Sequence, residues 1–124
     1  MHEAGIAQHL IEIAAQHLQR VPHGPVRRLN VRIGELAGVN PDSLDFAFEC
    51  FAKGTELEGA RLEVERVPLT VDCGACGGRT AVVDYVFRCG ACGAEATRVA
   101  TGRELEFVSM DTDEPSEEGV RAPD

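Results

Sequence analysis

The chain has 124 residues, 44% of them hydrophobic and 5% aromatic, with no Trp and a formal net charge of -9. That length holds one small domain, or a small domain with a smaller module inserted, and Val, Leu, Ile and Ala must fill most of its interior. The acidic balance is the wrong sign for a phosphate-binding surface, which argues against nucleic acid, and no apolar run approaches the roughly 18 residues of a membrane span.

From Ala4 to about Arg20, Ile6, Leu10, Ile13 and Ala14 recur at helical spacing, with Ile11 and Leu18 widening the stripe. Pro22, Gly24 and Pro25 end that helix. Leu29, Val31 and Ile33 then alternate with Arg28, Asn30 and Arg32, as in a strand with one buried face. Asn40 is placed to cap a second helix, with Pro41 in its first turn, Asp42 favourable to the helix dipole, and an apolar stripe of Leu44, Phe48 and Phe51 widened by Ala47. A further strand spans about Arg61 to Val71, with a change of parity near Arg66 to Pro68 that predicts a bulge or bend.

Cys73-Gly74-Ala75-Cys76-Gly77-Gly78 is answered by Cys89-Gly90-Ala91-Cys92-Gly93-Ala94, an internal repeat of two Cys-x-x-Cys pairs. Four thiolates at this spacing suit a tetrahedral zinc site, and Gly allows each turn to bring amide N–H groups towards sulfur. Val82 to Phe87 alternate between the pairs and predict a short ribbon joining the two knuckles. A last strand runs through Leu105 and Phe107 to about Met110, and the acidic stretch beyond it is too polar to pack.

The resulting fold class is α+β, two helices packed on a small three-stranded sheet with an inserted four-cysteine, zinc-ribbon-like module. Boundaries fall at about 1–70 and 98–110 for the α/β domain, about 71–97 for the module and about 111–124 for a disordered tail. Five cysteines, four of them in metal spacing, point to a reducing compartment. With no basic leader or long apolar segment at the start, a soluble cytoplasmic protein is expected.

Cys73, Cys76, Cys89 and Cys92 read as a closed structural zinc site. Redox chemistry expects one pair at the start of a helix, whereas the repeat demands symmetry between two pairs. Cys50, among Phe48 and Phe51, reads as a buried inert thiol. His9 and His17 are not an i, i+4 chelating pair, and with His23 they read as surface or partly packed histidines. At the start of the chain, the α-amine of Met1, the next amide nitrogen, the His2 imidazole and the Glu3 carboxylate can reach one ion. Such a nitrogen-rich set suits square-planar Ni(II) or Cu(II), although an N-terminal histidine is commonly incidental. No nucleophile and base, phosphate loop or open catalytic metal site is visible, so an enzyme is not expected.

Met1-His2-Glu3, Ile33-Gly34-Glu35, Asn40-Pro41-Asp42-Ser43-Leu44, Phe46-Ala47-Phe48-Glu49, Lys53-Gly54-Thr55 and the paired Cys-x-x-Cys together resemble the HypA/HybF family of hydrogenase maturation factors. The resemblance spans residues 1 to about 110 and implies a nickel metallochaperone. It implies delivery of Ni(II) to the large-subunit precursor of [NiFe]-hydrogenase with an accessory GTPase, and in some members a role with urease accessory proteins. It implies nickel binding at His2 and Glu3, beside Met1, and zinc at the four cysteines. Some members add an acidic ligand before the second helix, where this chain has Asn40, with Asp42 two residues on. The alternative is a zinc-ribbon interaction module with no nickel role.

Overall fold

In a computed structural model, residues 2–95 and 97–114 are described. Met1 and 115–124, the greater part of the expected tail, lie outside them. The elements run α1 (Glu3–Leu18), β1 (Val26–Gly34), a short 3-10 turn (Glu35–Ala37), α2 (Pro41–Ala52), β2 (Arg61–Val67), β3 (Thr70–Cys73), β4 (Arg79–Ala81), β5 (Thr97–Thr101) and β6 (Leu105–Thr112). They make two three-stranded sheets, ordered β2-β1-β6 and β4-β3-β5. Two compact units result, one of Met1–Val31, Val39–Glu65 and Glu106–Asp124, the other of Arg32–Gly38 and Arg66–Leu105.

In the first unit, α1 buries Ala7, Leu10, Ile11, Ala14 and Leu18, while Ile6 and Ile13 are only half-buried. The buried stripe therefore lies slightly to one side of the expected one, through the residues that widen it. Helix α2 buries Leu44, Phe48 and Ala52, which are spaced four apart and share one face. That spacing turns the other aromatics outward. Phe51 is 39% exposed and Phe46 67%, and Cys50 is exposed, not buried as its aromatic neighbours in sequence suggest. Asn40 caps α2 as expected, its Oδ1 accepting from the Ser43 amide at 2.9 Å, with Pro41 at the first helical position.

Leu29, Val31 and Ile33 of β1 are all buried, as their alternation requires. Polar bonds hold β1 to the end of the chain. Asn30 Nδ2 donates to Ser109 Oγ and Asp111 Oδ2 at 3.1 Å each, Arg28 pairs with Asp111 at 3.0 Å, and the Arg27 guanidinium grips both Asp113 oxygens. These exposed pairs contribute about 0–1 kcal/mol apiece, so their main consequence is register. The strand accordingly ends at Thr112, two residues beyond the expected Met110. His17 of α1 stacks on Phe107 of β6, ring centroids 5.3 Å apart.

The parity change near Pro68 is more than a bend, since β2 and β3 belong to different sheets. Proline has no N–H to donate to a ladder, so the break falls where pairing is already interrupted. In the second unit, Asp72 pairs with Arg79 across β3 and β4, both in register and through a 2.8 Å ion pair. The segment after β1 is fastened there by backbone bonds: Gly34 N–H donates to the Glu104 carbonyl at 2.8 Å and Leu36 N–H to that of Gly102 at 2.7 Å. The Leu69 amide donates to Glu35 Oε1 at 2.7 Å. The expected ribbon between the cysteine pairs shrinks to a single bridge, Val83 to Val86. Asp84 and Tyr85 at its tip have φ of 53° and 59°, the double left-handed signature of a tight hairpin turn.

The α2 register separates two phenylalanines two residues apart. Phe48→Ala should lower unfolding free energy by about 3–5 kcal/mol through loss of a fully buried ring, whereas Phe46→Ala should change it by no more than about 0.5 kcal/mol. Urea denaturation of both variants checks this, and equal effects would refute the assigned helix face.

Candidate metal centres

Both cysteine pairs lie in the second unit and are folded alike. In the first, the Gly77 amide donates to the Cys73 carbonyl at 3.0 Å and the Cys73 amide to that of Gly78 at 2.9 Å. In the second, Gly93 bonds to Cys89 at 2.9 Å and Cys89 to Ala94 at 2.9 Å. Gly77 and Gly93 each take φ of 78°, a region that costs a residue with a Cβ about 1–2 kcal/mol. The tight return aims amides at sulfur: Ala75 and Cys76 donate to Cys73 Sγ at 3.3 and 3.4 Å, Gly78 to Cys76 Sγ at 3.4 Å, and Ala91 to Cys89 Sγ at 3.4 Å.

The four sulfurs lie within 4.8 Å of one another. Cys73 and Cys92 approach to 3.6 Å, as do Cys76 and Cys89. These contacts are far longer than a disulfide, and all four thiols are free. A tetrahedral ion with metal–sulfur bonds of about 2.3 Å sets its sulfurs about 3.8 Å apart, so the donor set fits such an ion. Cys73 and Cys89 are buried at 5% and 3% exposure, while Cys76 and Cys92 face outward. One supporting residue was not apparent from the sequence. Thr80 Oγ1 accepts from the Gly90 amide at 3.1 Å and lies 3.9 Å from Cys89 Sγ, tying β4 to the second knuckle. No spacing rule links a threonine of one strand to a knuckle ten residues later.

The amides also decide which sulfurs carry charge. Those of Cys76 and Ala75 draw the Cys73 thiol below its ordinary value, and those of Cys92 and Ala91 draw Cys89 down to about 6. The Ala94 amide pulls Cys92 the same way. The bond to Cys73, burial, and bonds to Cys89 and Cys76 outweigh it and push Cys92 up to about 11. Without a cation, therefore, the two inner thiols lose their protons before Cys92 does.

At the other expected site, His2 is exposed and occupies the N-cap position of α1, its carbonyl accepting from Ile6 N–H at 3.2 Å. Glu3 opens the helix and is half-buried, and its Oε2 accepts from the Asn40 backbone amide at 2.8 Å. That bond, before any other influence, holds the Glu3 carboxyl below the usual carboxylate range. Asp42 lies on the exposed side of α2.

The thiol shifts fix a pH dependence for chelator-treated, metal-free protein. Thiols lowered on folding stabilise above their unfolded value near 9, and that contribution is lost as pH falls through about 6. Cys92, raised to about 11, works in reverse and loses its contribution as pH climbs above 9. Urea midpoints should thus rise from pH 6 to about 9 and fall above it, and Cys89→Ser should shrink the acid-side slope. A midpoint indifferent to pH in this range would contradict the assigned thiol charges.

With the fold and geometry established, the chain can be set beside known proteins. The family model described as "Hydrogenase/urease nickel incorporation, metallochaperone, hypA" matches residues 1–112. A protein named Hydrogenase maturation factor HypA from Roseiflexus sp. (strain RS-1) is 41% identical over 121 residues, covering 97% of this chain and 98% of the relative. One of the same name from Geobacter metallireducens is 39% identical over 113 residues, covering 91% and 100%. The solution structure of the Ni metallochaperone HypA from Helicobacter pylori superposes with a TM-score of 0.64 at 21% identity, covering 92% of this chain and 99% of that one. A second solution structure, of HypA protein, gives 0.68 at 23%, covering 90% and 96%. At such identities these two establish likeness of fold alone. The family match over nearly the whole described chain and the close relatives establish more: this chain belongs to the HypA family of hydrogenase/urease nickel-incorporation metallochaperones, which are maturation factors and not enzymes.

Proposed function

We propose that this chain carries Ni(II) as cargo at Met1, His2 and Glu3, while Cys73, Cys76, Cys89 and Cys92 hold a resident Zn(II). The observation that carries the proposal is the family match beginning at residue 1, joined to a four-sulfur cluster of tetrahedral size elsewhere in the chain. The two donor sets suit different tasks. Four thiolates leave no open position and are slow to exchange, which suits support of a small unit with few large buried side chains. An amine, an amide and an imidazole suit tetragonal nickel, and a chain terminus can rearrange readily when a recipient offers competing ligands.

On this reading the protein works in the cytoplasm, where thiols stay reduced. It receives or releases nickel with an accessory GTPase and delivers it to the precursor of the [NiFe]-hydrogenase large subunit, with service to urease accessory proteins as a second destination. The Glu3 carboxylate, whose ionised form the Asn40 amide favours further, supplies negative charge beside the cation.

Untagged protein provides the test. His2→Ala should abolish tight nickel binding in calorimetric titration while zinc content and the circular dichroism spectrum stay unchanged. A tag fused directly before Met1 should weaken nickel binding as well, because it converts the amine to an amide. Wild-type affinity in the His2→Ala protein would sink the nickel assignment. Zinc retained with no nickel binding by wild type would favour the zinc-bearing interaction module.

A further inference from the structure

Asn40 makes two bonds that serve different purposes. Its side-chain Oδ1 accepts from the Ser43 amide at 2.9 Å and caps α2. Its backbone N–H donates to Glu3 Oε2 at 2.8 Å. Glu3 is the first residue of α1 and Asn40 the N-cap of α2. Two residues 37 apart in sequence are thus joined at the starts of two packed helices.

We infer that Asn40 is a positioning residue for nickel, acting through its backbone amide on Glu3, and that its side chain is not a ligand. The inference rests on the nickel reading of Met1, His2 and Glu3. The geometry carries it further. Oδ1, the side-chain atom of Asn40 able to ligate, already accepts the α2 cap bond, and a cation there would have to share or displace it. The amide occupies one Glu3 oxygen and leaves the other available. A carboxylate fixed on a helix start has lost the rotamer freedom that a terminal Glu would otherwise surrender on binding a cation. Because His2 immediately precedes Glu3, the same bond anchors the neighbouring imidazole's backbone. The cargo site is in this sense preorganised by α2, although every proposed ligand comes from the first three residues.

Three variants of untagged protein, titrated with Ni(II) alone, separate the roles of Asn40. Asn40→Ala removes the cap and keeps the amide, so it should lower the melting temperature yet hold nickel affinity within about twofold. Asn40→Pro removes the amide as well; Asn40 has φ of -82° and ψ of 116°, close to what proline adopts before another proline. Nickel affinity should then fall roughly tenfold, with a changed Ni(II) d–d absorption spectrum. In a Glu3→Ala background, Asn40→Pro should produce no further loss, because the group on which the amide acts is gone. Equal losses in the alanine and proline variants, an undiminished proline effect in the Glu3→Ala background, or tighter binding on removal of the amide would each overturn the inference.

A second measurement needs no change at Asn40. The Asn40 amide proton should exchange with solvent faster in Glu3→Ala than in wild type, and equal exchange rates would also overturn the inference. Failure of the underlying nickel reading looks different. There, His2→Ala retains wild-type affinity, whatever the amide of residue 40 does.

Discussion

Four sulfurs gathered within 4.8 Å set the terms for everything in the second unit. Thiolates that close repel one another, and in the absence of a cation the cluster can hold only part of its charge. The backbone meets this constraint locally. Each knuckle turns through a left-handed glycine and presents amides to its first sulfur, which is why Cys73 and Cys89 lose protons readily while Cys92 keeps its own. A bound divalent ion would complete the compensation. The surrounding sheet, β4-β3-β5, is small, and among the described residues the unit buries the hydrophobic side chains of Ile33, Val67, Leu69, Val71 and the two inner cysteines. Metal ligation would therefore add order to a unit that already folds its knuckles through backbone bonds.

The first unit is stabilised by other means. Two helices and a three-stranded sheet enclose Leu10, Leu29, Leu44, Phe48 and Leu57, an ordinary apolar core. Its surface bonds set geometry more than stability. Exposed pairs such as Arg27 with Asp113, just past the last strand, contribute little individually. The Glu3 bond to the Asn40 amide has the same character: modest in energy and specific in position. For the proposed cargo site that specificity would matter more, since nickel would have to be recognised by geometry and then surrendered.

The two kinds of metal chemistry proposed here thus depend on opposite amounts of support. Among the described residues the thiol cluster is held by nine backbone and side-chain bonds drawn from both knuckles and from Thr80. The terminal site has, among the described residues, the bond from the Asn40 amide to Glu3 and the first helix bond, from Ile6 to the His2 carbonyl. A resident ion calls for the first arrangement and a transferable one for the second.

Much of this was legible in the order of residues. The cysteine spacing, the glycines that follow it, the helix stripes, the Asn40-Pro41 start signal and the alternation of Leu29, Val31 and Ile33 are all local, and their meaning follows from the periods of helix and strand and from the φ > 0 demand of a tight turn. Four outcomes needed the tertiary structure. The parity change at Pro68 marks a passage between two sheets, Cys50 faces solvent, Thr80 braces a knuckle, and the Asn40 amide reaches Glu3. Each depends on which distant segment lies alongside, and pairing over tens of residues is decided by the packing of whole elements. The sequence by itself determined which donor groups are present; only the fold decided which backbone groups bond to them.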